Sequence, residues 1–254
     1  PTEAIIYEMS VRDFSVQKEA GFKHPGKFKG LTESPQLNGQ ILGFDYLQKL
    51  GITHVQLLPV YDFGSVDEED QWKAYNWGYD PVQYNVPEGS YASDPNDPYA
   101  RILELQDTID TYHQANLSVI MDVVYNHVYQ ADEYAFEQIV PGYFYRYNAE
   151  GERTNGTFCG NDVASERSMV RQYIKQSLKQ WVSLYGFDGF RFDLMGILDI
   201  PTMTEIAEEL RELYPNIYLY GEGWKMDTGI SEDQLAHQYN SKRLPALGFF
   251  SDNF

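Results

Sequence analysis

The chain has a single cysteine, Cys159, among 254 residues. No disulfide can form within it, and no partner stands at metal-ligand spacing, so a structural zinc site is not expected. Basic residues are scarce: 19 Lys and Arg against 38 Asp and Glu give a formal net charge of -19. That is the wrong sign for displacing counterions from a phosphate backbone, so nucleic acid is not an expected partner. No apolar run approaches the roughly 18 residues of a spanning helix, and no membrane partner is expected either. The nucleotide-binding fingerprints GxGxxG and the Walker pattern are missing too. The first residues lack a charged n-region followed by an apolar h-region. The chain opens at Pro1 and enters strand-like sequence almost at once, which reads as an excised piece and leaves the compartment open.

Aromatic residues, in contrast, are plentiful: 21 Tyr, 14 Phe and 4 Trp. Many stand in loop-like stretches among Gly, Asn and Asp, where core packing is a weaker explanation. Flat rings with polar tips suit sugars, whose faces are apolar and whose edges carry hydroxyls.

By length the chain fits one α/β barrel or two smaller domains. Residues 4–10 read as a first strand, followed by a long loop to Gly39. Phe44, Leu47 and Leu50 make a short helical face closed by Gly51, and residues 54–60 form a second buried strand. Asp97 and Pro98 start a helix with the stripe Ile102, Leu105, Ile109 and Tyr112. Residues 118–125 are a third strand whose near-continuous apolar run calls for cover on both faces. Residues 126–164 show no periodicity and read as an irregular insertion after this strand. Val170, Ile174, Leu178, Trp181 and Tyr185 mark an amphipathic helix ending at Gly186. Thr202 and Glu205 read as a capping box for a helix carrying Ile206, Leu210 and Leu213. Residues 216–221 and 247–250 are a fifth and a sixth strand. Strand and helix alternate throughout, which points to a parallel α/β architecture. With the polar residues gathered at the C-terminal ends of strands three, four and five, the expected fold is a (β/α)8 barrel over residues 1–254, incomplete because about six strands are present.

The fourth strand lies in GFDGFRFDLM, residues 186–195, where two charges interrupt an aromatic run. Side chains alternate along a strand, so Arg191 and Asp193 share one face while Phe190, Phe192 and Leu194 take the other. A guanidinium beside a carboxylate favours its ionised form. This is equally the pattern of a structural ion pair. The fifth strand delivers a second acid, Glu222, one helix later in the chain, so a barrel would make the two acids neighbours at one rim. Asp193, paired with Arg191, is expected to stay ionised, while Glu222, beside another carboxylate and Trp224, is expected to hold a proton. A nucleophile and an acid with carboxyl groups roughly 5 Å apart are the parts of retaining glycoside hydrolysis.

Together with DVVYNH at residues 122–127, GFRFD at 189–193, GEGW at 221–224 and YNWGYDP at 75–81, the chain resembles the type I pullulanases, debranching members of the α-amylase family, glycoside hydrolase family 13. The resemblance implies a retaining hydrolase of α-1,6 branch linkages in pullulan, limit dextrin or glycogen. It also implies Asp193 as nucleophile, Glu222 as general acid/base and Arg191 as support for the nucleophile. In the same way it gives His127 and Tyr79 to the reacting sugar, with Asp122 and Asp80 ordering the region and Trp224 serving the leaving side. Taken singly, Asp122 also fits a structural strand-end acid, His127 a satisfied loop histidine and Trp224 a core anchor.

The family's third carboxylate, an aspartate in an HDN-like motif after strand seven, has no counterpart here; Asp252 and Asn253 lack the preceding histidine. Strands seven and eight and that aspartate are expected from outside this chain. An inactive glucan-binding fragment therefore stays open as an alternative, and, because linkage choice depends on pocket shape, so does an α-1,4-acting glucanase. No cofactor is required. Asn126 and the acids of residues 126–164 are candidates for a calcium ion, although no regular ligand spacing is visible. Tyr125, Tyr129, Tyr143 and Tyr145 are expected to pack or to serve outer subsites.

Overall fold

An apolar run such as residues 118–123 is stable only when both faces of its strand are covered, and helices inserted between strands supply that cover. The computed structural model describes residues 3–252, with strands β1 (Ile6–Met9), β2 (His54–Leu57), β3 (Ser118–Val123), β4 (Gly189–Phe192), β5 (Tyr218–Gly221) and β6 (Gly248–Phe249). They form one six-stranded sheet in chain order. β1 pairs with β2, β2 with β3 and β6 with β5 in parallel, with Ile6 opposite His54, His54 opposite Ser118 and Gly248 opposite Tyr220. Between the first five strands stand helices α1 (Gly43–Lys49), α2 (Pro98–Gln114), α3 (Ser168–Gln180) and α4 (Ile200–Leu213). Sequence-adjacent parallel strands with a helix between them are the repeating unit of a (β/α)8 barrel. Asn253 of the SDNF segment lies outside the described residues.

The strands are shorter than their apolar stretches. Val60, Val124 and Tyr125 lie beyond the ends of β2 and β3, yet all three are buried. Apolar content reports burial, and burial continues after the ladder stops.

The chain divides into two compact units, the first made of Pro1–Tyr79, Asn85–Asp122 and Trp181–Gly189, the second of Asp80–Tyr84, Val123–Gln180 and Phe190–Phe254. In the first, α2 begins as its sequence predicts: the Asp97 side chain accepts from the Tyr99 N–H at 2.9 Å, and Pro98 follows in the first turn. Leu105, Ile109 and Tyr112 are buried, and Tyr112 packs on Phe44 of α1 with ring centroids 4.9 Å apart. The Asp188 N–H reaches the Val119 carbonyl at 2.8 Å, which carries the ladder between β3 and β4.

In the second unit, Val170, Ile174 and Leu178 of α3 are buried, as are Ile206 and Leu210 of α4, whereas Leu213 is exposed. The start of α4 corrects the sequence reading. Asp199 is the cap, accepting from the Thr202 N–H at 3.0 Å. Pro201 fits the first turn, so the helix begins before Thr202, and the nearest preceding carboxylate takes the orphan amide. Glu205 instead pairs with Arg171 at 2.7 Å and Lys175 at 2.8 Å on α3. Residues 126–164 contain a short helix, Ala135–Ile139, and the bridges Tyr145–Val163 and Tyr147–Arg153. Tyr125 and Tyr145 are buried, while Tyr129 is exposed.

Removing the cap of α2 tests its local design. Asp97→Ala is expected to lower unfolding stability by about 1 kcal/mol, read as a lower denaturation midpoint, with Asp97→Asn keeping most of the difference. An unchanged midpoint in Asp97→Ala would show that the observed bond contributes nothing.

Candidate active site

Two strands deliver two acids, and one glycine lets them come close. A Cβ at Gly221, the last residue of β5, would lie 2.5 Å from the Phe192 carbonyl oxygen of β4, so only glycine permits this approach. The ladder continues past it, with the Glu222 N–H on the Phe192 carbonyl at 3.0 Å and the Asp193 N–H on the Val123 carbonyl at 2.9 Å. Phe190 and Phe192 are fully buried on the other face, as the two-residue period requires. The chain then turns sharply. Leu194 sits at φ +40°, a left-handed conformation uncommon for a residue with a side chain, and its N–H donates to Glu222 Oε2 at 3.1 Å.

Arg191 joins the acids. Its Nη1 lies 2.9 Å from Asp193 Oδ1 and its Nη2 2.7 Å from Glu222 Oε1. Its side chain is 8% exposed, against 12% for Asp193 and 22% for Glu222, so the acid reaching furthest toward solvent is Glu222. The ring of Phe250 lies 5.6 Å from the guanidinium carbon. The sequence reading assigned this arginine to Asp193 alone; the planar fork, with donors on separate nitrogens, serves both.

Asn126, which the sequence alone marks only as a candidate cation ligand, completes the arrangement. Its amide nitrogen donates to Asp193 Oδ2 at 2.9 Å and to the Asp193 carbonyl at 2.8 Å. Both partners are acceptors, which fixes the flip of the amide and leaves Oδ1 facing His127 Nδ1 at 2.6 Å. The proton of that bond therefore sits on His127 Nδ1. Buried His127 is also held through its carbonyl, which accepts from the Tyr84 hydroxyl at 2.6 Å. Asn126 stands in DVVYNH, so its position was visible, but its partner 67 residues away was not.

Trp224 follows Glu222 on an irregular segment and is half-buried, as is Asp80. In the first unit, fully buried Asp122 accepts from the Tyr79 hydroxyl at 2.7 Å. The structure thus brings Arg191, Asp193, Glu222, Asn126 and His127 into one set of contacts, and Tyr79 and Asp122 into another.

Several acids of residues 126–164 have partners within the protein. Asp132 and Glu137 pair with Arg153 at 2.6 and 3.4 Å, and Asp162 accepts from the backbone amides of Gly156 and Thr157. Among the described residues, Asp62, Glu68 and Glu88 of the first unit do bring carboxylate oxygens within 4.8 Å of one another. There, however, Arg101 holds Glu68 through two bonds of 2.6 and 2.9 Å, so a guanidinium already supplies the positive charge. Burial pushes Asp62 up to about 6, with the Glu68 charge adding to it and Arg101 opposing. Burial likewise pushes Glu88 up to about 7, against hydrogen bonds from Ser90 and Phe63.

Both groups bind protons more tightly folded than unfolded. Their contribution to stability is thus fully present below their ordinary values of 3.8 and 4.5, and is lost as pH rises through about 6 to 7. Asp62→Asn and Glu88→Gln are expected to gain melting temperature relative to the parent protein as pH goes from about 5 to about 8. A difference that stays constant with pH would refute the assignment.

The family described as alpha amylase, catalytic domain, matches residues 18–143. Over the whole chain the sequence is 48% identical to a pullulanase of Bacillus subtilis, spanning 36% of that protein. A crystal structure of pullulanase from Paenibacillus barengoltzii in complex with maltohexaose and alpha-cyclodextrin superposes with a TM-score of 0.96 at 51% identity, covering 99% of this chain and 40% of that one. Pullulanase from Anoxybacillus sp. LM18-11 complexed with maltotetraose gives a TM-score of 0.96 at 50% identity, covering 99% of this chain and 37% of that one. The chain therefore spans well under half the length of these relatives. With six strands in the order of an incomplete (β/α)8 barrel and this identity to pullulanases, the chain belongs to the α-amylase family, glycoside hydrolase family 13.

Proposed function

We propose that this chain carries the nucleophile and the acid/base of a retaining hydrolase that cuts α-1,6 branch linkages in α-glucans such as pullulan, limit dextrin or glycogen. The observation that carries the reading is the single guanidinium of Arg191 bonded to both Asp193 and Glu222. One planar fork reaches two carboxylates only when they are neighbours, which favours the close spacing of retaining enzymes over the wider spacing that admits a water for inversion. The pullulanases that this chain resembles, crystallised with maltohexaose or maltotetraose, support the choice of glucan.

In this reading Asp193 attacks the anomeric carbon while Glu222 gives its proton to the leaving glycosidic oxygen, and a covalent glycosyl-enzyme forms. Glu222 then takes a proton from water as that water releases the sugar from Asp193. Asn126 and Arg191 each hold one oxygen of Asp193, which aims the carboxylate before substrate arrives. Both oxygens of Glu222 accept bonds here, one from Arg191 and one from the Leu194 amide. Each oxygen accepts one bond and keeps a second lone pair, where the proton for the leaving oxygen can sit. By family resemblance, Tyr79 lies beneath the reacting sugar, with Asp80 and Asp122 supporting it. His127 bonds its hydroxyls, and Trp224 meets the glucose on the leaving side. In the family the third carboxylate stands after strand seven, a motif that has no counterpart in this sequence.

In the protein as its gene encodes it, Glu222→Gln is expected to keep maltotetraose binding while kcat on pullulan falls by at least about 100-fold. The parent protein is expected to release maltotriose from pullulan with retained anomeric configuration, followed by NMR. Inverted product, or full turnover by Glu222→Gln, would overturn the assignment. Pullulan cleaved without maltotriose would favour α-1,4 hydrolysis.

A further inference from the structure

Glu222 and Trp224 open a segment, residues 222–228, with no regular secondary structure. Such a segment has no ladder of its own to hold it, and local order must come from side-chain and packing contacts. Two contacts fix its beginning. The Gly196 N–H donates to the Glu222 carbonyl at 3.0 Å, and a Cβ on Gly196 would lie 1.9 Å from the Trp224 carbonyl oxygen. The 3-10 turn Met195–Ile197, directly after the strand of Asp193, is thus the backing of Glu222 and Trp224.

One buried cation grips both that turn and the far end of the segment. Arg146, from the inserted residues 126–164, is 2% exposed. Its Nη1 donates to the Ile197 carbonyl at 2.7 Å and to Thr228 Oγ1 at 2.9 Å. Its Nη2 reaches Ser165 Oγ at 3.2 Å, and Nε lies 2.9 Å from Glu166 Oε2. The Thr228 hydroxyl in turn donates a hydrogen bond to Asp162 Oδ2 at 2.6 Å, and Asp162 also accepts from the Gly156 and Thr157 amides at 2.8 and 2.9 Å. Burial works against the Asp162 carboxylate, yet the bonds from Thr228 and these amides outweigh it and hold the group below its ordinary value. Next to Asp162, the Asn161 side chain bonds both backbone groups of Val128, the residue after His127.

We propose that Arg146 is a positioning residue for the reaction: with Asp162 and Thr228 as a buried lock, it fixes the segment of Glu222 and Trp224 against the turn after Asp193. The role rests on the hydrolase reading for its catalytic meaning. It acts through Glu222, and Arg146 itself touches neither acid in the contacts described. Its consequence is specific. A loosened lock misplaces the proton donor more than the nucleophile, so substrates with a leaving group that needs a proton suffer most.

The test compares Thr228→Val and Thr228→Ser in the protein as its gene encodes it. Val keeps the shape and removes the hydroxyl, whereas Ser keeps the hydroxyl. For Thr228→Val, kcat/KM on pullulan is expected to fall about tenfold, while on α-maltotriosyl fluoride, whose leaving group departs without a proton, it changes less than about twofold. Thr228→Ser is expected to keep the parent ratio between the two substrates. Hydrogen exchange of the amides at 223–228 is expected to quicken in Thr228→Val alone. Equal losses on both substrates, no loss on either, or a Ser variant that behaves like Val would overturn the proposal. Parent protein that leaves pullulan intact would overturn the hydrolase reading instead. Exchange at 223–228 then still decides the lock: unchanged rates in Thr228→Val would dismiss it. If Thr228→Val does not fold, the Ser variant decides alone, since a shifted ratio between its two substrates would overturn the proposal.

Discussion

In a chain with twice as many acids as bases, positive charge has to be shared, and the guanidinium of Arg191 between Asp193 and Glu222 is the case on which the site depends. Two neighbouring carboxylates repel, and a compact cation such as an ammonium offers no fixed geometry for holding both. A planar fork does, because its nitrogens point in set directions. The same solution recurs. Arg171 serves Asp199 and Glu205, and Arg153 serves Asp132 and Glu137. In the first unit Arg101 holds Glu68 and faces the charges of Asp62 and Glu88. The acidity seen in composition is therefore no diffuse surface property alone; part of it is organised around shared arginines.

From Arg191 the geometry spreads by elimination of alternatives. With Asp193 Oδ1 taken, Asn126 holds Oδ2, which orients its amide and places the proton on His127 Nδ1. With Glu222 Oε1 taken, Oε2 meets the Leu194 amide, and this requires the left-handed turn at Leu194. Strain at that residue is a local cost carried by the surrounding bonds. Each contact has one fitting partner, so the acids are aimed before any ligand is present.

How much of this was legible depends on the range of the signal. The strand period put Arg191 and Asp193 on one face, and their 2.9 Å pair agrees. Alternation of strands and helices gave the parallel sheet, and Asp97 before Pro98 marked the start of α2 correctly. Signals acting over two to four residues could be read. The second partner of Arg191 could not, because nothing in GEGW tells which way Glu222 turns. The capping box at Thr202 failed for a related reason: its acid had a stronger use on α3, with Arg171 and Lys175. The bond of Asn126 to Asp193 was not legible because its partner lies on another strand. Arg146 carried no local mark at all, since Ile197 and Thr228 follow it by 51 and 82 residues.

Arg191 and Arg146 show why a site of this kind needs two sorts of cation. Strands end at the acids, and beyond them the backbone has no ladder to set its path. Apolar packing could hold such segments, but it is non-directional and would fix position less sharply than a fork with several bonds. A buried guanidinium is costly unless every partner is in place, so it is stable in one arrangement of the segments around it and penalises the others. Arg146, buried and bonded to Ile197, Ser165, Glu166 and Thr228, meets that condition at a distance from the chemistry. Arg191 lies beside the acids, with its bonds on the carboxylate oxygens themselves. The two tasks differ in what is held: Arg191 fixes the direction of two carboxylates, whereas Arg146 bonds the backbone of the Met195–Ile197 turn and the Thr228 side chain at the far end of the segment.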